Sequence, residues 1–292
     1  MAFLRVKGAR GRPYAYLVEN VWHPASGQPR QRVLSYLGRL DRVRPEHLPG
    51  EHRTPEILRT LSERQGAEKT RVRAAVDRHR ALLTDVLLRG DAGRARAVAR
   101  AAVREVGKEE FLHQVLSETM REVGRRWSEG TATISQEHLA TSIIANFLSR
   151  LNGSLRSKTS TGPEVVVCVP EGEYHTLPLL LAEGSLLEKG YRVVNIGASA
   201  PSESTAAFVR ARGPFGILIS VTQPACLEGA RVLARRLRRD LSEARIAVGG
   251  QAVERSPQTT ELRGVDLFRG LLSEYLASWP SAEDRNEEPQ AT

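Results

Sequence analysis

Glu164-Val165-Val166-Val167-Cys168-Val169, halted by Pro170 and followed by Glu171-Gly172-Glu173-Tyr174-His175-Thr176-Leu177-Pro178, is the stretch whose reading decides the fold. A short unbroken run of β-branched residues reads as a strand buried on both faces. The apolar run from Leu177 to Leu187 then begins a helix. His175 therefore falls in the turn beyond the carboxyl end of a first strand, where open parallel sheets place their ligands. A neutral imidazole is a good ligand for a first-row transition ion. A carboxylate two residues earlier, Glu173, is placed to hold the other ring nitrogen, which fixes the tautomer and raises basicity.

The same alternation continues outward. Gly190-Tyr191 to Gly197 reads as a second strand and its exit, and Ile217 to Thr222 as a third that ends in the hydroxyls of Ser220 and Thr222. Ile246 to Gly250 is a fourth that ends in Gly249 and Gly250, and Val265 to Phe268 a last, short one. Strands separated by helical runs predict a flavodoxin-like, doubly wound sheet of five parallel strands with helices on both faces.

Upstream, four helices are expected, over about Thr70 to Arg89, Asp91 to Val106, Lys108 to Trp127 and Gln136 to Leu151. Asp91 and Ser135 are the expected N-caps, and Gly90 and Gly107 the expected stops. Short loops between apolar-striped helices imply a four-helix bundle. Trp127 ends the stripe Leu112, Leu116, Met120, Val123, which suits a core residue. Glu137 and His138 lie in the first turn of the fourth helix, where the dipole alone favours an acid. Singly, each has a structural explanation; the conjunction of indole, carboxylate and imidazole at one end of the bundle does not.

Glu173-x-His175 resembles the Asp-x-His-x-x-Gly signature of corrinoid-binding domains, with Glu in place of Asp and Pro178 in place of Gly. Trp127, nine residues, then Glu137-His138 is similar to the cap of light-responsive transcriptional regulators that bind adenosylcobalamin. The resemblance spans roughly residues 75 to 280. It implies cobalamin as cofactor, adenosylcobalamin rather than methylcobalamin, with His175 as the cobalt ligand. It also implies that Ser220, Thr222, Gly249 and Gly250 line the slot for the nucleotide tail, because only glycine lets backbone approach a ring so closely. Trp127 would cover the upper corrin face, and Glu137 and His138 would line the adenosyl side. In the photoreceptor group a His commonly follows the Trp; here it is Ser128, a poor ligand for this ion.

The amino-terminal segment is of another kind. Tyr14 to Trp22 and Arg30 to Leu37 alternate as two strands about the turn His23-Pro24-Ala25-Ser26-Gly27. This hairpin resembles the N-terminal strands of some insertion-sequence transposases and does not resemble a MerR-type winged helix. The chain carries a net charge of +9. Residues 1–44 hold nine Arg and Lys (Arg5, Lys7, Arg10, Arg12, Arg30, Arg32, Arg39, Arg42, Arg44) against Glu19 and Asp41, a local excess of 9 − 2 = +7. Such a concentration suits nucleic acid as partner, although Arg is abundant throughout. Tyr14, Tyr16 and Trp22 are either contacts for that partner or the core of a small module.

The expected organisation is a basic β-hairpin module over 1–54, a helical linker over 55–75, a helical-bundle cap over 76–157, a flavodoxin-like domain over 158–280 and a solvated tail over 281–292. Cys168 and Cys226 have no C-x-x-C spacing, so two reduced core thiols are expected. No long apolar segment or signal pattern is present, which suggests a cytoplasmic protein without a membrane partner. Phosphate-loop, zinc-protease and serine-elbow motifs are absent from the sequence. The function expected is a cobalamin-binding sensor or regulator, photoresponsive in the resembled group, that assembles as a homo-oligomer and is not itself an enzyme. The alternative is a corrinoid protein that carries methyl groups between methyltransferases.

Overall fold

The computed structural model describes residues 2–9, 12–24, 27–156, 162–256 and 264–280. The tail read as solvated, and Ala25 and Ser26 of the hairpin turn, lie outside the described residues. The chain forms two compact units, Met1–Ala140 and Thr141–Thr292.

In the first unit, β1 (Ala2–Ala9), β2 (Arg12–His23) and β3 (Gln28–Arg39) make an antiparallel sheet in the order β1-β2-β3. The predicted hairpin is present, and β1 adds a strand that the sequence reading missed. One sheet face packs Ala15, Leu17 and Leu37 against Leu40, Val43, Leu48, Ile57 and Leu61. The module's core is thus aliphatic; Tyr14, Tyr16 and Trp22 are not in it.

Residues 55–75 are not a separate linker, because α1 runs unbroken over Pro55–Leu88. Thr54 caps it through Ile57 N, Pro55 sits at the first helical position, and the helix carries through Gly66 to its stop at Gly90. There Gly90 N donates to Leu87 O and Asp91 N to Val86 O, with Gly90 at φ +73°, a Schellman stop. Asp91 caps α2 (Ala92–Val106) through Arg94 N, as expected. The third predicted helix is compound: α3 (Lys108–Glu110), a π-helical stretch over Phe111–Leu116, and α4 (Ser117–Ser128). Then α5 (Ile134–Arg156) begins earlier than expected. Its cap is Thr133 and not Ser135: Thr133 Oγ1 accepts from Gln136 N while Gln136 Oε1 accepts from Thr133 N, a reciprocal capping box.

The second unit holds the doubly wound domain. Its strands β4 (Glu164–Cys168), β5 (Arg192–Asn195), β6 (Gly216–Ser220), β7 (Arg245–Gly249) and β8 (Asp266–Leu267) are all parallel, in the order β5-β4-β6-β7-β8. The five strands fall where they were expected, each trimmed at its ends. Thr222 and Gly250 consequently lie just past β6 and β7, in loops. α6 (Leu177–Glu188) follows β4, α7 (Ser202–Arg212) follows β5, α8 (Leu227–Asp240) follows β6, and α9 (Gln251–Arg255) follows β7. α10 (Leu272–Tyr275) closes the described chain's helices. One apolar core lies on each face of the sheet.

The last turns of α5 dock on α6 through polar groups. Asn152 Nδ2 donates to Leu180 O at 2.8 Å, and Gly184 is the glycine that lets Asn152 approach, since a Cβ there would lie 2.7 Å from its Oδ1. Arg156 meets the buried Glu183 carboxylate at 2.6 Å, and Asn195 Nδ2 donates to its other oxygen. Both cysteines are free thiols in buried positions, and burial pushes Cys168 up to about 12.

Candidate functional site

The carboxyl edge of the parallel sheet is where the chemistry gathers. Beyond β4 the chain turns at Pro170-Glu171-Gly172-Glu173, closed by Glu173 N donating to Pro170 O at 3.1 Å. Gly172, at φ +82°, supplies the left-handed third position such a turn needs. The turn sends the Glu173 side chain inward, where it is 0% exposed.

Five donors converge on that carboxylate. Oε1 accepts from Tyr174 N at 3.0 Å, His175 N at 3.1 Å and the His175 ring Nδ1 at 2.6 Å. Oε2 accepts from Thr222 N at 2.9 Å and Gln223 N at 2.8 Å, both in the loop after β6. Burial by itself would raise this acid. The bonds from His175, Gln223 and Thr222 outweigh it and hold Glu173 down to about 2, so the group is a carboxylate at neutral pH. A third loop joins in: beyond β5, Ser199 N donates to Glu173 O, and Gly172 N donates to Ser199 Oγ. Ser199 is the one non-glycine residue with positive φ among the described residues, at +46°.

The outcome for His175 is specific. Its Nδ1 is engaged by Glu173, which assigns the second ring nitrogen, Nε2, to any ligand bond. The side chain is 48% exposed, so the imidazole stands at the surface on a buried anionic support. Pro178, the departure from the resembled signature, lies in the first turn of α6, where a missing N–H costs nothing.

The other expected slot residues are placed differently from one another. Ser220 ends β6 and is partly exposed, and Thr222 is used through its backbone. Gly249 lies against the chain itself: a Cβ there would come 2.7 Å from Phe268 Cε2 and closer still to Cζ and Cε1. Gly250, at φ +109°, passes over Val221, and a Cβ would lie 2.5 Å from Val221 O. Phe268 in turn stacks on Tyr275, with centroids 4.8 Å apart. Sequence reading missed Ser199, Gln223 and Phe268; of these, only Phe268 carried a signal, as an aromatic in the last strand.

In the first unit, Trp127 is 48% exposed and so is not the core residue its stripe suggested. Gly130 ends its helix with a second Schellman pattern, Gly130 N to Trp127 O and Thr131 N to Arg126 O. Three residues later the Thr133 box starts α5, with Glu137 in its first turn and His138 next to it, His138 Nδ1 lying 2.8 Å from Glu137 Oε2. Ile134 in the first turn and Leu139 in the second are also exposed.

Residues 163–272 match the family model of the B12 binding domain, and residues 80–152 match a second B12 binding domain model. The chain carries B12-binding domains. It is 31% identical over 159 residues to the HTH-type transcriptional repressor CarH of Myxococcus xanthus, covering 54% of this chain and 52% of that protein. It is 27% identical over 165 residues to the repressor CarA of the same organism, covering 51% and 55%. The chain thus spans about half the length of these curated relatives. Among solved structures, the monomethylamine corrinoid protein of Methanosarcina barkeri superposes with a TM-score of 0.55 at 18% identity, over 70% of this chain and 94% of that one, which establishes the shared fold.

The B12 domain's residues suit a corrinoid. Among the described residues no group of three His, Cys, Asp or Glu side chains could hold a bare metal ion. A corrin ring brings four nitrogens of its own to cobalt, so a single imidazole on a carboxylate support is the donor set such a group asks of a protein. No helix of the described residues is long and apolar enough to cross a membrane.

Proposed function

We propose that this protein is a cobalamin-dependent sensor or regulator, that it takes adenosylcobalamin, and that His175 is the lower cobalt ligand. The observation that carries the reading is the half-exposed His175 imidazole, held through Nδ1 by a fully buried, ionised Glu173 at the ligand-binding edge of the sheet. When bound, the cofactor would supply a photolabile carbon–cobalt bond. The protein's residues hold and orient it. Exposure of Trp127 supports its use as the cover of the upper face, and the Glu137–His138 pair offers hydrogen-bonding groups for an adenosyl moiety. Similarity to the repressors CarH and CarA supports regulation over catalysis. Signalling then requires that the ligand bind two conformations or assembly states unequally, and a change in homo-oligomeric state is the proposed output.

The test is reconstitution with adenosylcobalamin in the dark, desalting, an absorption spectrum before and after green light, and gel filtration of each sample. Corrin bands that survive desalting and shift in the His175→Ala variant support axial ligation. An unchanged spectrum in that variant removes His175 from the role. Identical elution of apo, dark and illuminated protein rules out an assembly switch. Retention of methylcobalamin in preference to the adenosyl form would instead favour the methyl-carrier reading.

A further inference from the structure

The sheet β1-β2-β3 has a second face that the described core does not cover. Ala15, Leu17 and Leu37 point to the aliphatic core, so strand alternation places Tyr14, Tyr16 and Asn20 on the other side, where Val18 is buried. Register places Arg5 opposite Tyr16, Lys7 opposite Tyr14, Tyr16 opposite Tyr36, and Asn20 opposite Gln31 on that outer face. The rings form a cluster, with Tyr16 and Tyr36 centroids 5.2 Å apart and Tyr14 and Tyr36 6.3 Å apart. Lys7 Nζ lies 5.6 Å from the Tyr16 centroid. Tyr36, on the edge strand β3, is 58% exposed.

Cations predominate on this face, and at its Tyr14 end Arg39 pairs with Asp41 and Glu110. The three strands contain a single carboxylate, Glu19, and it lies on the opposite parity, bonded to Arg32 at 2.7 Å. Beyond Glu19, where β1 ends its pairing, β2 and β3 continue as a two-stranded ribbon to the His23–Gln28 pair, carrying Trp22 at 63% exposed. From Tyr14 to Trp22 the face runs for about 26 Å at the usual strand rise. Away from that end its surface offers the cations Arg5 and Lys7, exposed rings and two side-chain amides, Arg5 donating to Gln31 Oε1.

We infer that this outer face binds single-stranded nucleic acid. The cations suit a phosphate backbone, and exposed ring faces suit bases that are not already stacked. The amides of Asn20 and Gln31 can pair with base edges. A duplex would satisfy the cations but leave the rings without partners, since its bases are stacked on one another. The inference stands on the first unit alone and goes beyond the cobalamin reading without depending on it.

The test is fluorescence anisotropy of the full chain with a labelled oligothymidine of about 15 nucleotides and with a duplex of equal length, at several salt concentrations. Binding to the single strand should exceed binding to the duplex. Tyr36→Leu, which keeps a strand-forming apolar side chain, should weaken it about tenfold with the salt slope unchanged. Lys7→Ala should weaken it and lower the slope of log K against log salt by about 0.7. Arg59→Ala, an exposed charge on α1, should do neither. Unchanged thermal unfolding of each variant certifies the fold. Equal affinity for duplex, absence of binding, or equal losses in Arg59→Ala and Lys7→Ala would each overturn the inference.

Discussion

Gly249 is glycine either because the chain's own Phe268 needs the space or because a ligand does, and the two reasons separate experimentally. A Cβ on Gly249 would sit 2.7 Å or less from three ring carbons of Phe268, against about 3.5–4.0 Å for a relaxed carbon contact. The ring would have to retreat by about 1 Å, and overpacking of that kind costs about 1–3 kcal/mol. Gly249 lies in β7 outside the positive-φ region, so alanine brings no backbone strain of its own. Phe268 is partly buried, so Phe268→Ala should cost about 2–3 kcal/mol, at or below the low end for aromatic truncation. In the Phe268→Ala background, Gly249→Ala should then cost about 0.5 kcal/mol or less, a coupling of the size contacting residues show. Urea unfolding followed by tryptophan fluorescence measures it, because Trp279 is the buried indole, within the same core. Equal penalties for Gly249→Ala in both backgrounds would refute the reasoning. Corrinoid retention by the double variant supplies the second reading: recovery of stability without recovery of cobalamin means that the space beside Gly249 also serves the ligand.

Three further outcomes are expected. Glu173→Gln should lower corrinoid retention by about 10–100-fold and destabilise the domain by about 3 kcal/mol, since an amide cannot accept from all five donors; dialysis against free cobalamin and urea titration measure the two effects. Arg156→Ala should destabilise more than Glu183→Gln, because the first leaves a carboxylate buried without its cation and the second leaves a guanidinium that water still reaches; paired thermal melts at neutral pH decide it. Glu105 is held at about 2 by hydrogen bonds from Arg78 and His79, and a depressed carboxylate stabilises the fold above its ordinary value of 4.5 and ceases to as pH falls to about 2. Its NMR carboxyl titration should therefore lie well below 4.5, and the stability gap between wild type and Glu105→Gln should close across that acid window.

The central strands of the parallel sheet were legible because they are apolar runs, β4 halted by Pro170 and β7 by the Gly249-Gly250 pair. His175 was legible for the same reason: a strand end fixes where the next loop begins. The cap at Thr133 was misread because Ser135 is an equally good capping residue by type, and only the Gln136 side chain, three residues after Thr133, selects between them. Trp127 was ambiguous because a stripe at helical spacing looks the same whether its last member is covered or exposed. β1 alternates as a strand should, Leu4 and Val6 against Arg5 and Lys7, but so short an alternation between Met1 and Gly8 is a weak strand signal. Contacts made by backbone, such as Thr222 N and Gln223 N on Glu173, leave no mark in a sequence at all.

The Glu173 cluster ties ligand chemistry to folding. Its carboxylate closes the loop after β4 on itself and joins it to the loop after β6, and Ser199 adds the loop after β5. All these bonds are internal to the chain, and an imidazole held in this way has little conformational entropy to lose on binding a ligand. A site prepared in this way gives affinity but no signal by itself, because a ligand that finds the same geometry in every state shifts no equilibrium. Any regulatory response must therefore come from contacts that differ between states. On the proposed reading, the Glu173–His175 support is the anchor of the site and not its switch. On that reading, the response is sought at exposed side chains of the first unit, Trp127, Ile134, His138 and Leu139.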